Sequence, residues 1–360
     1  MSRVKPLVAP FPYFGGKSAA AWAVWDALGR DIGHFIEPFA GSLAVLLSEP
    51  ARPDRLETVN DCDGYVVNAW RAMRADPEAV AAWADHPVFE CDLHARHLWL
   101  VNEGRPDVAR LMTDPDYCDL KAAGWWIWGL CCWIGGGWCD GRGPWTVDRL
   151  LGTDGNAGPG VSRKRPHLSN AGKGVHRKLP HLRSTGQGVH GSRRARIVDW
   201  FTDLADRLAR VRICCGDWSR IVTPAVLFAA SQSDATRVGI FLDPPYRLDN
   251  GRDRLYTHET DVAAEVAAWA FTHGDDPRLR IVLAGWDGDV VLPDGWRALT
   301  WTKPGGNGYA NQSGRQTQVR ERLWLSPGCQ KPTQLSFDVM TSSGAEDRGR
   351  DDRMPSLMRQ

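Results

Sequence analysis

Val238-Gly239-Ile240-Phe241-Leu242-Asp243-Pro244-Pro245-Tyr246 decides how this chain folds. The first five residues form a short apolar run, as a buried strand does. The run then stops on an acid, two prolines and an aromatic ring. Each proline lacks an N–H and fixes φ, so the ladder cannot continue. Asp243 to Tyr246 is therefore expected to be a rigid turn just past the carboxyl end of a strand. Open α/β sheets bind their ligands there. A carboxylate, the Pro244 carbonyl and a flat ring can together hold an exocyclic amino group and stack on its base. An ordinary strand-end turn fits the tetrapeptide equally well, so the rest of the chain has to decide.

Upstream, two glycine-bearing segments look suited to a ligand. Pro10-Phe11-Pro12-Tyr13-Phe14-Gly15-Gly16-Lys17 precedes an apolar stretch from Ser18 to Leu28 that reads as a helix. Gly16-Lys17-Ser18 resembles the end of a phosphate-binding loop, but that motif needs a glycine where Phe11 stands, so a nucleotide triphosphatase is rejected. Lys17 is expected at the start of the helix, either meeting an anionic ligand group or solvated. His34 to Glu37, Pro38-Phe39-Ala40-Gly41-Ser42 and Leu43 to Ser48 then read as strand, tight turn and helix. Such a turn offers free amides to a ligand. A second strand, Leu56 to Val59, ends on Asn60-Asp61-Cys62-Asp63. In nucleotide-type α/β folds an acid at that place takes ribose hydroxyls. Asp61 is the better candidate, with Asp63 suited to cap the following helix.

Composition bounds the rest. The 360 residues suffice for one large domain or two, and 43% apolar with 24% charged residues is globular. A net charge of +1 excludes no partner class. No signal peptide and no membrane span is read, so a cytoplasmic location is expected, in a bacterial cell or its nucleoid. The nine cysteines form no paired framework and no zinc-ligand spacing, so neither disulfides nor a metal are expected.

Between Asp76 and Ala122 the pattern gives further helices and no chemistry. Tryptophans crowd from Trp125 to Trp145. Residues 155 to 198 then contain ten basic residues and no acid. A 14-residue repeat lies inside, with Pro166-His167-Leu168 recurring as Pro180-His181-Leu182 and Gly172–His176 as Gly186–His190. Uniform charge is an electrostatic footprint for a phosphate backbone, and a basic linker is the competing reading. Arg163, Lys164, Arg165, Lys173, Arg177, Lys178 and Arg183 are the candidate DNA contacts, with Gln187 at the repeat position equivalent to Lys173. Beyond it come a helix from Ala195, a strand ending on Gly216-Asp217-Trp218, and the Asp243 turn. Asp217 and Trp218 suit an adenine, carboxylate to amino group and ring to ring face; a simple strand-end cap fits as well.

In order and spacing, Phe11–Lys17, Glu37–Ser42, Asn60–Asp61 and Asp243–Tyr246 resemble the Dam-type DNA adenine-N6 methyltransferases, a class that includes phage enzymes. The resemblance spans roughly residues 10 to 330. It implies S-adenosyl-L-methionine as methyl donor and a Rossmann-like, mostly parallel α/β sheet of seven strands with one reversed edge strand. It implies a catalytic domain made from residues 1–115 and 196–330, interrupted by a target-recognition insert at 116–195. Residues 331–360 read as a disordered tail. Carried over by position, Tyr13 and Lys17 contact the donor, as do Glu37, Pro38, Phe39, Gly41 and Ser42; Asp61 is the donor-binding acid. Asp243, Pro244, Pro245 and Tyr246 form the catalytic turn. Tyr13-Phe14 departs from the Trp-Ala of many members, and the repeat is foreign to the general pattern, so no recognition sequence is transferred.

The implied partner is double-stranded DNA, and a monomer is expected. The implied reaction extrudes an adenine, holds N6 on Asp243 and the Pro244 carbonyl, and stacks the ring on Tyr246. Two rivals stay open at this point. One is an AdoMet enzyme acting on RNA or a protein amide, which would more often carry Asn where Asp243 stands. The other is a DNA-binding relative without catalysis, for which a broken motif would be the sign. The recognised bases and any restriction partner are left open.

Overall fold

The computed structural model describes residues 6–13, 15–133, 138–139, 193–229, 236–245, 262–300 and 321–331. Tyr246, the repeat with its basic candidates from Arg163 to Gln187, and the chain beyond 331 lie outside these residues.

Seven strands make one sheet: β1 (His34–Glu37), β2 (Leu56–Asp61), β3 (Arg212–Cys215), β4 (Val238–Leu242), β5 (Leu279–Trp286), β6 (Arg297–Thr300) and β7 (Glu321–Leu325). Their order is β3-β2-β1-β4-β5-β7-β6. The pairs from β3 through β5 are all parallel. β7 runs antiparallel to both β5 and β6. The reversed strand is thus not the edge strand that the resemblance implied; β6 is the edge. The residues explain this. β7 buries Leu323 and Leu325 on one face and Trp324 on the other, whereas β6 alternates half-buried and exposed positions.

Alternation along the strands divides the core. Phe35, Phe241, Val282 and Ala284 join one cluster, while Ile36, Ile240, Leu242, Ile281 and Leu283 join another. A parallel sheet covered on both faces requires such strands, apolar on either side. The first cluster is closed by α1 (Ala21–Leu28), α2 (Ala44–Ser48), α3 (Gly64–Ala75), α4 (Pro77–Ala84), α7 (Leu120–Cys132) and α8 (Arg193–Leu208). The second is closed by α9 (Pro224–Leu227) and α10 (Val262–His273), with the 3₁₀ turn Trp218–Ile221. Between α4 and α7 lie α5 (Glu90–Asn102) and α6 (Val108–Thr113). Asp63, Asp76, Asp107 and Asp119 cap α3, α4, α6 and α7, each accepting a backbone N–H.

α1 starts at Ala21, not at Ser18, because residues 17–20 close a turn in which the Ala20 N–H donates to the Lys17 carbonyl at 2.9 Å. α7 falls within the 116–195 stretch, yet it packs against α3, α4 and α5. α8 follows that stretch and packs on α3 and α4. Among the described residues no helix is long and apolar enough to cross a membrane.

α8 is fastened at its far end by a buried charge network. Arg207 meets Glu57 Oε2 with Nη1 at 2.6 Å and Glu57 Oε1 with Nη2 at 2.9 Å. Nη2 also donates to the Leu46 carbonyl at 3.0 Å. Arg55 joins Glu57 Oε1 at 2.8 Å and lies over the Trp25 ring. Removing Arg207 would leave the buried Glu57 with Arg55 alone and take its charged hydrogen bonds to Arg207 away. Arg207→Ala should therefore lower the unfolding free energy by about 1.5–3 kcal/mol, measured by urea unfolding. A loss within experimental error would show that the network contributes nothing net.

Candidate active site

The sheet order changes direction between β1 and β4, since β2 lies on one side of β1 and β4 on the other. Ligands of open α/β sheets bind at the carboxyl ends of strands beside such a point. A cavity of about 480 Å³ opens there. Its walls come from the ends of four strands: Glu37 of β1, Asp61 of β2, Gly216-Asp217-Trp218 after β3, and Asp243 with Pro245 after β4. Tyr13, Lys17, Pro38, Phe39, Gly41 and Ser42 line it too. The structure thus brings together every donor-binding candidate of the sequence. Pro244, buried, adjoins the wall between Asp243 and Pro245.

The strand ends are laced by the residues that end them. Asn60 is 1% exposed, and its Nδ2 donates to the Pro38 carbonyl at 3.2 Å and the Gly216 carbonyl at 2.9 Å. That one side chain joins the ends of β1, β2 and β3. Asp61 accepts the Gly41 N–H on Oδ2 and the Asp63 N–H on Oδ1, each at 2.9 Å. Burial, helped by the neighbouring Asp63 charge, pushes the Asp61 carboxyl up to about 7.

Gly41 has φ +44°, a conformation that glycine adopts at no steric cost. A Cβ there would stand 2.7 Å from the Tyr13 ring. Leu43, fully buried, also has a positive φ of +52°. Strain of about 1–3 kcal/mol in a non-glycine residue persists only where its surroundings hold it.

Lys17 is buried rather than solvated, and its ammonium is held by carboxylates. Its Nζ lies 2.9 Å from Asp243 Oδ1 and donates to the Gly15 carbonyl at 2.7 Å. Burial alone would push its pKa down; the carboxylates of Asp243 and Glu321 outweigh that and hold it above the ordinary lysine value. Glu37 is 3% exposed, and its Oε2 has no hydrogen-bond partner among the described residues. Burial first, and then the charge of Asp243, raise its carboxyl well above the usual range. Asp217 caps the turn after β3, its Oδ1 accepting the Ser219 N–H at 2.9 Å, so the cap reading holds while the residue still faces the cavity. Trp218 stacks on Phe39 with centroids 6.3 Å apart.

Among the wall residues that carried no sequence signal are Tyr65, Arg105, Pro106 and Val108. Tyr65 could have been inferred, since it sits in the first turn of a helix that opens beside Asp61. Arg105 and Pro106 come from the connection between α5 and α6 and Val108 opens α6, where only tertiary packing decides what reaches the site.

With this geometry in place, residues 13–92 match the family model for D12 class N6 adenine-specific DNA methyltransferases. The matched stretch carries Tyr13, Lys17, the Glu37–Ser42 turn and Asp61, and it supports an adenine DNA methyltransferase. The mostly parallel sheet is consistent with the AdoMet-methyltransferase fold of that family. No match is found among curated proteins.

Gly41→Ala should test the cradle. The added methyl faces both a positive φ and the Tyr13 ring. The expected outcome is a stability loss of about 1–3 kcal/mol, read by thermal unfolding. An unchanged melting temperature would show that the turn relaxes freely.

Proposed function

We propose that the protein transfers a methyl group from S-adenosyl-L-methionine to N6 of an adenine flipped out of double-stranded DNA. The observation that carries this reading is the convergence of the matched motifs with Asp217, Trp218 and Asp243 on one cavity at the carboxyl edge of the sheet. Its volume falls in the range of small-molecule sites, about 300–1,000 Å³.

The residues present fit the donor. The unpartnered Glu37 Oε2 and the close backbone at Gly41 leave room and polarity for its methionine part. Asp61 would accept the ribose hydroxyls, and the Phe39–Trp218 pair would receive the adenine ring. Bound there, the donor supplies an electrophilic methyl on a sulfonium centre. Asp243 and the Pro244 carbonyl would accept the N6 hydrogens, drawing electron density onto nitrogen and aiming its lone pair. Tyr246 would stack the target base. Holding the two reactants in line is then a large part of the rate. The basic residues from Arg163 to Arg183 would supply phosphate contacts, with Lys173 and Gln187 placed to read bases.

Tritiated donor offered to duplex DNA, RNA and protein tests the reading. Label on adenine N6 of duplex DNA is expected, and label on RNA or protein alone would replace it with the rival enzyme class. Asp243→Ala should abolish that label while leaving a folded protein that still binds DNA. Substantial turnover by this variant would move the active site elsewhere.

Asp61 sets a pH dependence for donor binding. Its carboxyl titrates near 7 in the free protein, and the charged form is the better acceptor for hydroxyls. Donor affinity should therefore rise as pH climbs through about 7 and level off above it. The stability sign is opposite. A folded pKa raised above its unfolded value stabilises most at low pH, and that contribution is lost as pH rises through about 7. Calorimetry on Asp61→Ala should show donor affinity weakened by about 1.5–3 kcal/mol and the pH dependence gone. Wild-type affinity in the variant would remove Asp61 from the site.

A further inference from the structure

The Lys17 ammonium has a second carboxylate partner, from outside the catalytic turn and the matched motifs. Nζ lies 3.0 Å from Glu321 Oε1 and 2.9 Å from Asp243 Oδ1. The lysine side chain is 3% exposed, and those of Glu321 and Asp243 are 15% and 18% exposed. Both contacts therefore sit where water screens little.

Strand direction brings Glu321 here. It is the first residue of β7, and it pairs with Trp286 at the carboxyl end of β5. Because β7 is reversed, its first residue arrives at the edge where the parallel strands finish. A parallel β7 would present Leu325 there instead. The reversal thus delivers a carboxylate to Lys17, which lines the cavity some 300 residues earlier in the chain.

An ammonium shared between two carboxylates is not equivalent to one pair. With Asp243 as its sole carboxylate partner beside the Gly15 carbonyl, Lys17 would lean further onto Asp243 and occupy lone pairs a substrate amino group needs. Glu321 holds the ammonium from a second element, so Asp243 keeps a fixed direction. We propose that Glu321 is a positioning residue for the transfer step, acting on Asp243 through Lys17. The inference rests on the methyltransferase reading above.

Two substitutions, alone and combined, test it in the full-length protein: Glu321→Gln and Lys17→Met. Glu321→Gln should lower kcat on duplex DNA by about 10–100-fold, the scale of a small misplacement. The KM for DNA and the donor Kd should stay within about twofold, because the residue acts on alignment and not on either ligand. The double variant should turn over no more slowly than Lys17→Met alone, since both changes act through one ammonium. A urea-unfolding cycle on the same variants reads the contact without turnover and should be non-additive. Unchanged kcat in Glu321→Gln, or losses that multiply in the double variant, overturns the proposal while leaving the methyltransferase reading intact. A wild-type protein that transfers no methyl to DNA overturns that reading and this role with it, even where the unfolding cycle shows the ion pair.

Discussion

A parallel sheet buried on both faces can place polar chemistry only where its strands end. β4 is buried at every position, and β5 at all but its last. Any group that must meet a ligand is thereby pushed to the carboxyl edge. Glu37, Asp61, Asp217 and Asp243 stand at or just beyond the ends of four neighbouring strands. Side chains bridge the gaps between those ends. Asn60 links three strands by two carbonyls, and Asp61 holds the Gly41 turn by its amide.

Charge at that edge is managed by neighbours more than by solvent. Three carboxyls and one ammonium, those of Glu37, Asp243, Glu321 and Lys17, gather around one side of the cavity. Burial raises the Glu37 carboxyl well above the usual range, while the carboxylates of Asp243 and Glu321 hold Lys17 above the ordinary lysine value. Shifted pKa values on neighbouring groups are a mark of functional sites as well as of structural ion pairs.

Much of this was legible in the residues. Prolines after Leu242 fixed the end of β4, and the acids after β1 and β2 marked the cavity before any contact was known. The partner of Lys17 was not legible. Glu321 lies in a strand whose sequence, Glu-Arg-Leu-Trp-Leu, gives neither its direction nor its neighbours. Strand reversal depends on how the preceding chain returns, and no local pattern records that. Arg105 and Pro106 were hidden for a related reason, since they reach the cavity from a connection between helices. Asp217 shows the converse: its cap is local and was readable, and its place in the wall is tertiary.

The packing of α7 and α8 has an architectural consequence. One helix precedes the repeat in the sequence and the other follows it, and both are seated on α3 and α4. Arg207 then anchors the second helix to β2 and to the end of α2. The two helices that flank that stretch of sequence thus share one platform. Closing a longer connection on fixed ends costs little, about 0.6 kcal/mol for each doubling of length. A duplication such as the 14-residue repeat can therefore enter the gene without disturbing the fold that carries the chemistry. The clasp lets the chain experiment with one segment while the rest is held to its geometry.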